Sequence, residues 1–290
     1  MDVEDSSSFK HALGRGINLF LGAGFSVLAK DPFSRDLPIG NALTDELLEK
    51  FGSEIGSGLN LAQVYTLLAR TRRDEVDAYI RERYKVGALD HRYAAIRRAD
   101  VQTVFTTNVD DLVERIYEQD DRAYVNDIHL SGPSYADRRS IDLVHLHGAI
   151  SDRNRAMRFG TLDVASSFSS DPDSWRYLRQ RLSKAPTLFW GYALNDAGAL
   201  EALQEDAFAA GHDAWIQIRA AEKHSPILAY YRALGFRIIV GDTDQLLNYL
   251  QFNLPDPATT LPRNRHAAPT ATLFPDEAVP LPAQPKQTPH

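Results

Sequence analysis

Short apolar runs punctuate this sequence at residues 17–21, 101–105, 143–146, 187–190, 214–218 and 236–240. Between the later runs lie stretches with helical spacing, at 175–182, 197–208, 227–234 and 244–250. Strands covered on both faces read as continuous apolar runs, and their alternation with amphipathic helices predicts a parallel sheet between two helical layers. The expected fold is α/β, a doubly wound, mostly parallel, Rossmann-like sheet. In such sheets a ligand binds beyond the carboxyl ends of the strands.

Residues 41–98 break that rhythm. They contain no convincing strand, and helical spacing recurs at 42–51, 61–69, 75–83 and 91–97, with Gly52 placed as a stop. The reading is a helical insertion between the first two major strands, shaped as a lid or small domain. Residues 1–254 are expected to form one domain around it. From 255 to 290 the chain carries nine prolines, which oppose helices and central strands, so this part is expected to be a flexible tail. Leu273 and Phe274 are a candidate docking motif within it.

A hydrophobic fraction of 43% with 24% charged residues supplies the core such a fold needs. The net charge of −7 argues against a general nucleic-acid binder. Two basic clusters, Arg70, Arg72 and Arg73, then Arg81, Arg83 and Lys85, read as solvated helix faces. The absence of cysteine rules out disulfides, thiolate zinc sites and a cysteine nucleophile, and suits a reducing cytoplasm. No apolar run approaches the roughly 20 residues that span a bilayer, and the acidic, serine-rich start is not a signal peptide.

Four polar clusters fall at expected strand ends. Gly22, Ala23, Gly24, Phe25 and Ser26 follow the first run; glycines allow a sharp turn near a phosphate, with a following helix offering its amides. Val27 stands where a dinucleotide fingerprint has its third glycine, which disfavours a standard dehydrogenase domain. Thr106, Thr107, Asn108, Val109 and Asp110 end the second run; Asn108 or Asp110 is expected to cap the next helix, leaving the other polar groups for a site. His147 and Gly148 end the third, and an imidazole there suits general-base work. His145, on the same strand face, reads as a buried structural ring without a clear carboxylate partner, and no metal is expected. Gly191 and Tyr192 follow the fourth run, with Asn195 and Asp196 as caps of the next helix.

The order of these motifs resembles the sirtuin superfamily, which carries a Gly-Ala-Gly-x-Ser loop, then Thr-x-Asn-x-Asp, then His-Gly. The resemblance spans roughly residues 15–250, and Gly191-Tyr192 is similar to a turn of prokaryotic sirtuin-like proteins. Two departures matter. Sirtuin deacylases carry a four-cysteine zinc ribbon that has no counterpart here. Residues 31–35 only echo their Gly-Ile-Pro-Asp-Phe-Arg segment, while Leu37, Pro38, Ile39 and Gly40 look closer to the defence-type branch. The chain thus resembles bacterial antiphage sirtuin-like proteins that hydrolyse NAD.

That resemblance implies NAD as substrate. Asn108 would orient the ribose and the attacking water, His147 would act as general base, and Asp110 would support the carboxamide or the Asn108 loop. Gly22, Ala23, Gly24 and Ser26, with Thr107, Gly191 and Tyr192, would hold the nucleotide. It also implies a homo-oligomer and a partner such as a HerA-type ATPase or a short Argonaute. A deacylase and an NAD- or ADP-ribose-sensing module are the alternatives.

Overall fold

The computed structural model describes residues 1–255 except 53, 56–57, 119, 131–137, 161–170 and 195–212. The expected helix at 197–208, Asn195, Asp196 and the tail from 256 onward therefore lie outside the described residues.

An eight-stranded sheet is ordered β1-β10-β9-β8-β2-β5-β7-β6. Its strands are β1 (Asp2–Val3), β2 (Ile17–Leu21), β5 (Val101–Thr106), β6 (Ala123–Asp127), β7 (Arg139–His145), β8 (Thr187–Trp190), β9 (Ala214–Ile218) and β10 (Arg237–Val240). Every pairing is parallel except that of β1 with β10, at one edge. The fold is the expected Rossmann-like α/β architecture. All five residues of β2 are buried, as a central strand covered on both faces requires.

Alternate side chains feed two cores. Leu19, Val104, Leu143, Leu188 and Ile239 join one face. Phe20, Phe105, Val144, Phe189 and Ile238 join the other. The first face is covered partly by α1 (Ser6–Arg15), whose Phe9, Ala12 and Leu13 are buried at i, i+3 and i+4. Asp5 caps this helix by accepting from the Ser8 amide. Helix Pro172–Leu182 covers the second face through Trp175, Leu178 and Leu182.

Between β2 and β5 the chain forms a two-stranded ribbon of β3 (Ala29–Lys30) with β4 (Ala88–Leu89), and the helices α2 (Gly40–Phe51) and α3 (Leu61–Arg83). Sequence patterning missed the ribbon because two-residue strands have no period to read. In α3, Arg72 leaves helical geometry at φ −139°, which is why the pattern broke between 69 and 75. Residues 91–98 are 3-10 rather than α. Leu43, Leu47, Val64, Tyr65, Leu68, Val76 and Ile80 pack together, and Val109 and Met157 belong to the same cluster.

The reading of Arg81 and Arg83 as a solvated helix face was wrong. Arg83 is 4% exposed. It donates to both Glu46 oxygens at 2.8 and 2.9 Å, to Asp31 Oδ2 at 3.1 Å and to the Asp36 carbonyl at 2.7 Å. A guanidinium presents its donors as a planar fork, so one side chain ties α2, α3 and the turn after β3. Removing it takes from Glu46 its ion-pair partner and leaves the fully buried Asp31 carboxylate with Arg35 alone. Arg83→Met is therefore expected to lower stability by about 3 kcal/mol in urea unfolding. Unchanged stability would deny the network that role.

Candidate active site

Four loops leave the sheet side by side. In register, Leu21 lies opposite both Thr106 and Trp190, and Thr106 opposite His145. Hydrogen bonds carry the alignment past the strand ends: Gly22 N to Trp190 O (3.0 Å), Thr107 N to Leu21 O (3.1 Å) and Leu146 N to Thr106 O (2.9 Å). The chain runs outward from β2 through β5 to β6 at the edge, comes back to β7, then crosses to β8 on the other side of β2. That reversal is the switch point where doubly wound sheets open a crevice.

The Asn108 side chain closes the gap between two loops. Its Nδ2 donates to the Gly22 carbonyl and to Ser26 Oγ, both at 3.0 Å. Since a carbonyl only accepts, nitrogen must stand at that position. With both amide hydrogens committed, Oδ1 is the atom left to accept from a ligand hydroxyl or water. Ser26 Oγ donates a hydrogen bond to Asp110 Oδ2 at 2.9 Å, and Asp110 Oδ1 accepts from the Leu112 amide at 3.2 Å. The N-cap of α4 (Leu112–Tyr117) is Asp111, not the expected Asn108 or Asp110; Asp110, one residue earlier, meets the first helical amide and braces the Asn108 loop. Through Ser26 its hydrogen bonds reach the Asn108 amide.

Burial pushes the Asp110 carboxyl up to about 6, against the lowering influence of Ser26 and the Leu112 amide. A carboxyl raised in this way stabilises the fold below its ordinary value near 3.8 and loses that contribution as pH rises through 6. Asp110→Asn keeps the acceptor for Leu112 and removes the titration. Relative to the variant, the wild type is expected to lose about 2 kcal/mol between pH 4 and 7.5 in urea unfolding. Parallel pH profiles for the two proteins would refute this.

The glycine loop differs from expectation in two ways. A three-residue 3-10 turn, Ala23–Phe25, follows it instead of an α-helix, so no helix terminus faces a phosphate there. The amides of Gly22, Gly24, Phe25 and Ser26 already donate to protein carbonyls. Of the five, only the Ala23 amide lacks such a partner among the described residues. The glycines serve mainly loop against loop. A Cβ at Gly22 would lie 2.6 Å from Gly191 O, and one at Gly24 would lie 2.8 Å from Gly191 Cα. Tyr192 completes this packing, its ring centroid 4.7 Å from that of Phe20. Thr107, half-buried, faces the Leu21 carbonyl with its hydroxyl at 3.4 Å.

Two supports escaped the sequence reading. Thr243 Oγ1 donates to Gly24 O at 2.7 Å while accepting from Trp190 Nε1. Gln217 accepts from the Gly191 amide at 2.9 Å and donates to Gly241 O at 2.8 Å. An isolated Thr or Gln carries no local signal for such work.

His147 is half-buried in the turn after β7. Its carbonyl accepts from Arg158 N at 2.9 Å. Gly148 has φ +84°, and a Cβ there would meet Ala156 O at 2.8 Å, so this position needs glycine. Arg81 of α3 donates to the carbonyls of Ala149 (3.1 Å) and Ile150 (2.7 Å), fastening the insertion to the His147 turn.

His145 has the carboxylates that sequence reasoning did not find. Its Nδ1 lies 3.1 Å from the Asn108 carbonyl and its Nε2 3.4 Å from Glu114 Oε1. Atoms of Glu114, Asp127 and His145 gather within 4.8 Å of one another. Burial alone lowers the imidazole, but the Glu114 hydrogen bond, the charges of Glu114 and Asp127 and the Asn108 carbonyl outweigh it, raising His145 to about 9. The protonated ring is the form these contacts favour.

Residues 102–239 match the SIR2-like domain family. The matched segment is somewhat less than half of the chain. It contains Asn108, Asp110, His145, His147 and Gly191, and the glycine loop lies outside it. The bonds from Asn108 to Gly22 and Ser26 join the SIR2-like segment to the loop. The match supports the sirtuin-like reading and is consistent with NAD-related activity, since SIR2-like domains use NAD. No curated protein matches the chain. Among the described residues, no helix is long and apolar enough to cross a membrane.

Proposed function

We propose that this protein is an NAD glycohydrolase, releasing nicotinamide and ADP-ribose. The observation that carries the reading is the Asn108 amide clamped between Gly22 and Ser26, beside the turn that bears His147. The bond between nicotinamide and ribose breaks through an oxocarbenium-like state, so the protein must fix the ribose and aim a water. Asn108 Oδ1 accepts from that water or a ribose hydroxyl. His147 takes the proton, directly or through the hydroxyl. Asp110 and Ser26 keep Asn108 from turning. The Ala23 amide and the loops around Gly22 and Gly191 contact the nucleotide.

Hydrolysis is favoured over deacylation because the chain has no cysteine to build the zinc ribbon that walls an acyl-lysine groove. Unrestrained NAD loss kills a cell, which fits an antiphage effector held off until a partner assembles on it. A homo-oligomer and a HerA-type ATPase are the proposed assembly, in the cytoplasm. The test is incubation with NAD, alone and with the product of the neighbouring gene, identifying products by mass. Nicotinamide with free ADP-ribose supports the reading. Modification of an acetyl-lysine peptide, or calorimetric NAD binding without nicotinamide release, would replace it with a deacylase or a sensor.

A further inference from the structure

Both ring nitrogens of the buried His145 face groups that only accept. Nδ1 is 3.1 Å from the Asn108 carbonyl, and Nε2 is 3.4 Å from a Glu114 carboxylate oxygen. A neutral imidazole carries one N–H and would turn a lone pair toward one of these oxygens. Two protons satisfy both, and with 1% of the side chain exposed no bulk water substitutes for either contact. Glu114 comes from α4 and His145 from β7, so the pair is a strut between a helix and the strand beside β5. It ends on the peptide that carries the Asn108 side chain. The hydrogen bonds run on without a gap: Glu114 to His145, His145 to the Asn108 carbonyl, Asn108 Nδ2 to Ser26, Ser26 to Asp110.

We infer that His145, held by Glu114, is a positioning residue for Asn108, fixing its peptide so that the amide spans Gly22 and Ser26. It touches no reacting atom. Its effect on turnover rests on the proposed hydrolysis; its effect on Asn108 does not. The side-chain geometry offers a separating pair of variants. Asparagine places an amide nitrogen where histidine has Nδ1, and glutamine places one near Nε2. His145→Asn thus keeps the donor to Asn108 and drops Glu114, while His145→Gln does the reverse.

The experiment reads Asn108 first in the free protein, by the hydrogen exchange of its side-chain amide in asparagine-labelled NMR spectra, assigned by its loss in Asn108→Ala. Wild type and His145→Asn are expected to protect this amide, and His145→Gln to lose the protection. In nicotinamide release, His145→Gln is expected to lower kcat by about 10- to 100-fold, the scale seen when an outer partner of an active group is removed. KM stays within about twofold, because substrate contacts are unchanged. His145→Asn recovers most of the turnover. Equal protection of the amide in all three proteins, or an asparagine variant as impaired as the glutamine one, overturns the inference. A wild type that releases no nicotinamide overturns the proposed function instead, and the exchange measurement still decides on His145.

Discussion

His147→Ala is expected to abolish most NAD hydrolysis, lowering kcat by about a hundredfold to ten-thousandfold, the usual contribution of a general base. The variant should fold, because the ring is only half-buried and the backbone bond from Arg158 N to the His147 carbonyl survives the change. The turn itself is held by Gly148 and by Arg81. Asn108→Ala is expected to match the loss while also slackening the glycine loop, since it removes both bonds from Nδ2. Nicotinamide release, measured beside circular dichroism and a thermal melt, checks both. Wild-type turnover in either folded variant would remove that residue from the mechanism.

Gly191→Ala should be the most damaging single methyl group in the described chain. Its Cβ would stand 2.2 Å from Phe25 N and 2.4 Å from Gly24 C, both backbone atoms that cannot step aside. The residue also sits at φ +65°, where an L side chain is strained. Overlap and strain together amount to about 3–5 kcal/mol, and the thermal midpoint should fall by about 10 °C, if soluble protein is obtained at all. Gly14→Ala is the control. It lies in α1 with nothing within 4 Å of the added Cβ, so it should stabilise the helix by about 0.5–1 kcal/mol. A Gly191→Ala protein melting with the wild type would show that the loops part more easily than their spacing implies.

The central strands were legible because burial on both faces makes them mostly apolar, with Asn18, Thr187 and Gln217 as the polar exceptions in β2, β8 and β9. β2, β8 and β9 fall within the apolar runs that the sequence displays. β6 was not legible: it is an edge strand, four of its five residues are half-buried, and its end reads Asn126-Asp127. Helix α1 escaped because its polar start, Ser6, Ser7 and Ser8, hid the apolar face formed by Phe9, Ala12 and Leu13. At the site, Asn108, Asp110 and the glycines announced themselves through strand-end position. Glu114, Thr243 and Gln217 act on residues far away in the chain, and a pairing across such distance has no one-dimensional signature. The glycine loop was found for a partly different reason than the one it serves, since backbone proximity to a ligand and to another loop demand the same residue.

Val109 lies between the two polar side chains of the candidate machinery, yet it is packed in the cluster built from α2 and α3. The helical layer between β2 and β5 is therefore seated, through one valine, on the stretch of backbone that sets where that amide and that carboxyl stand.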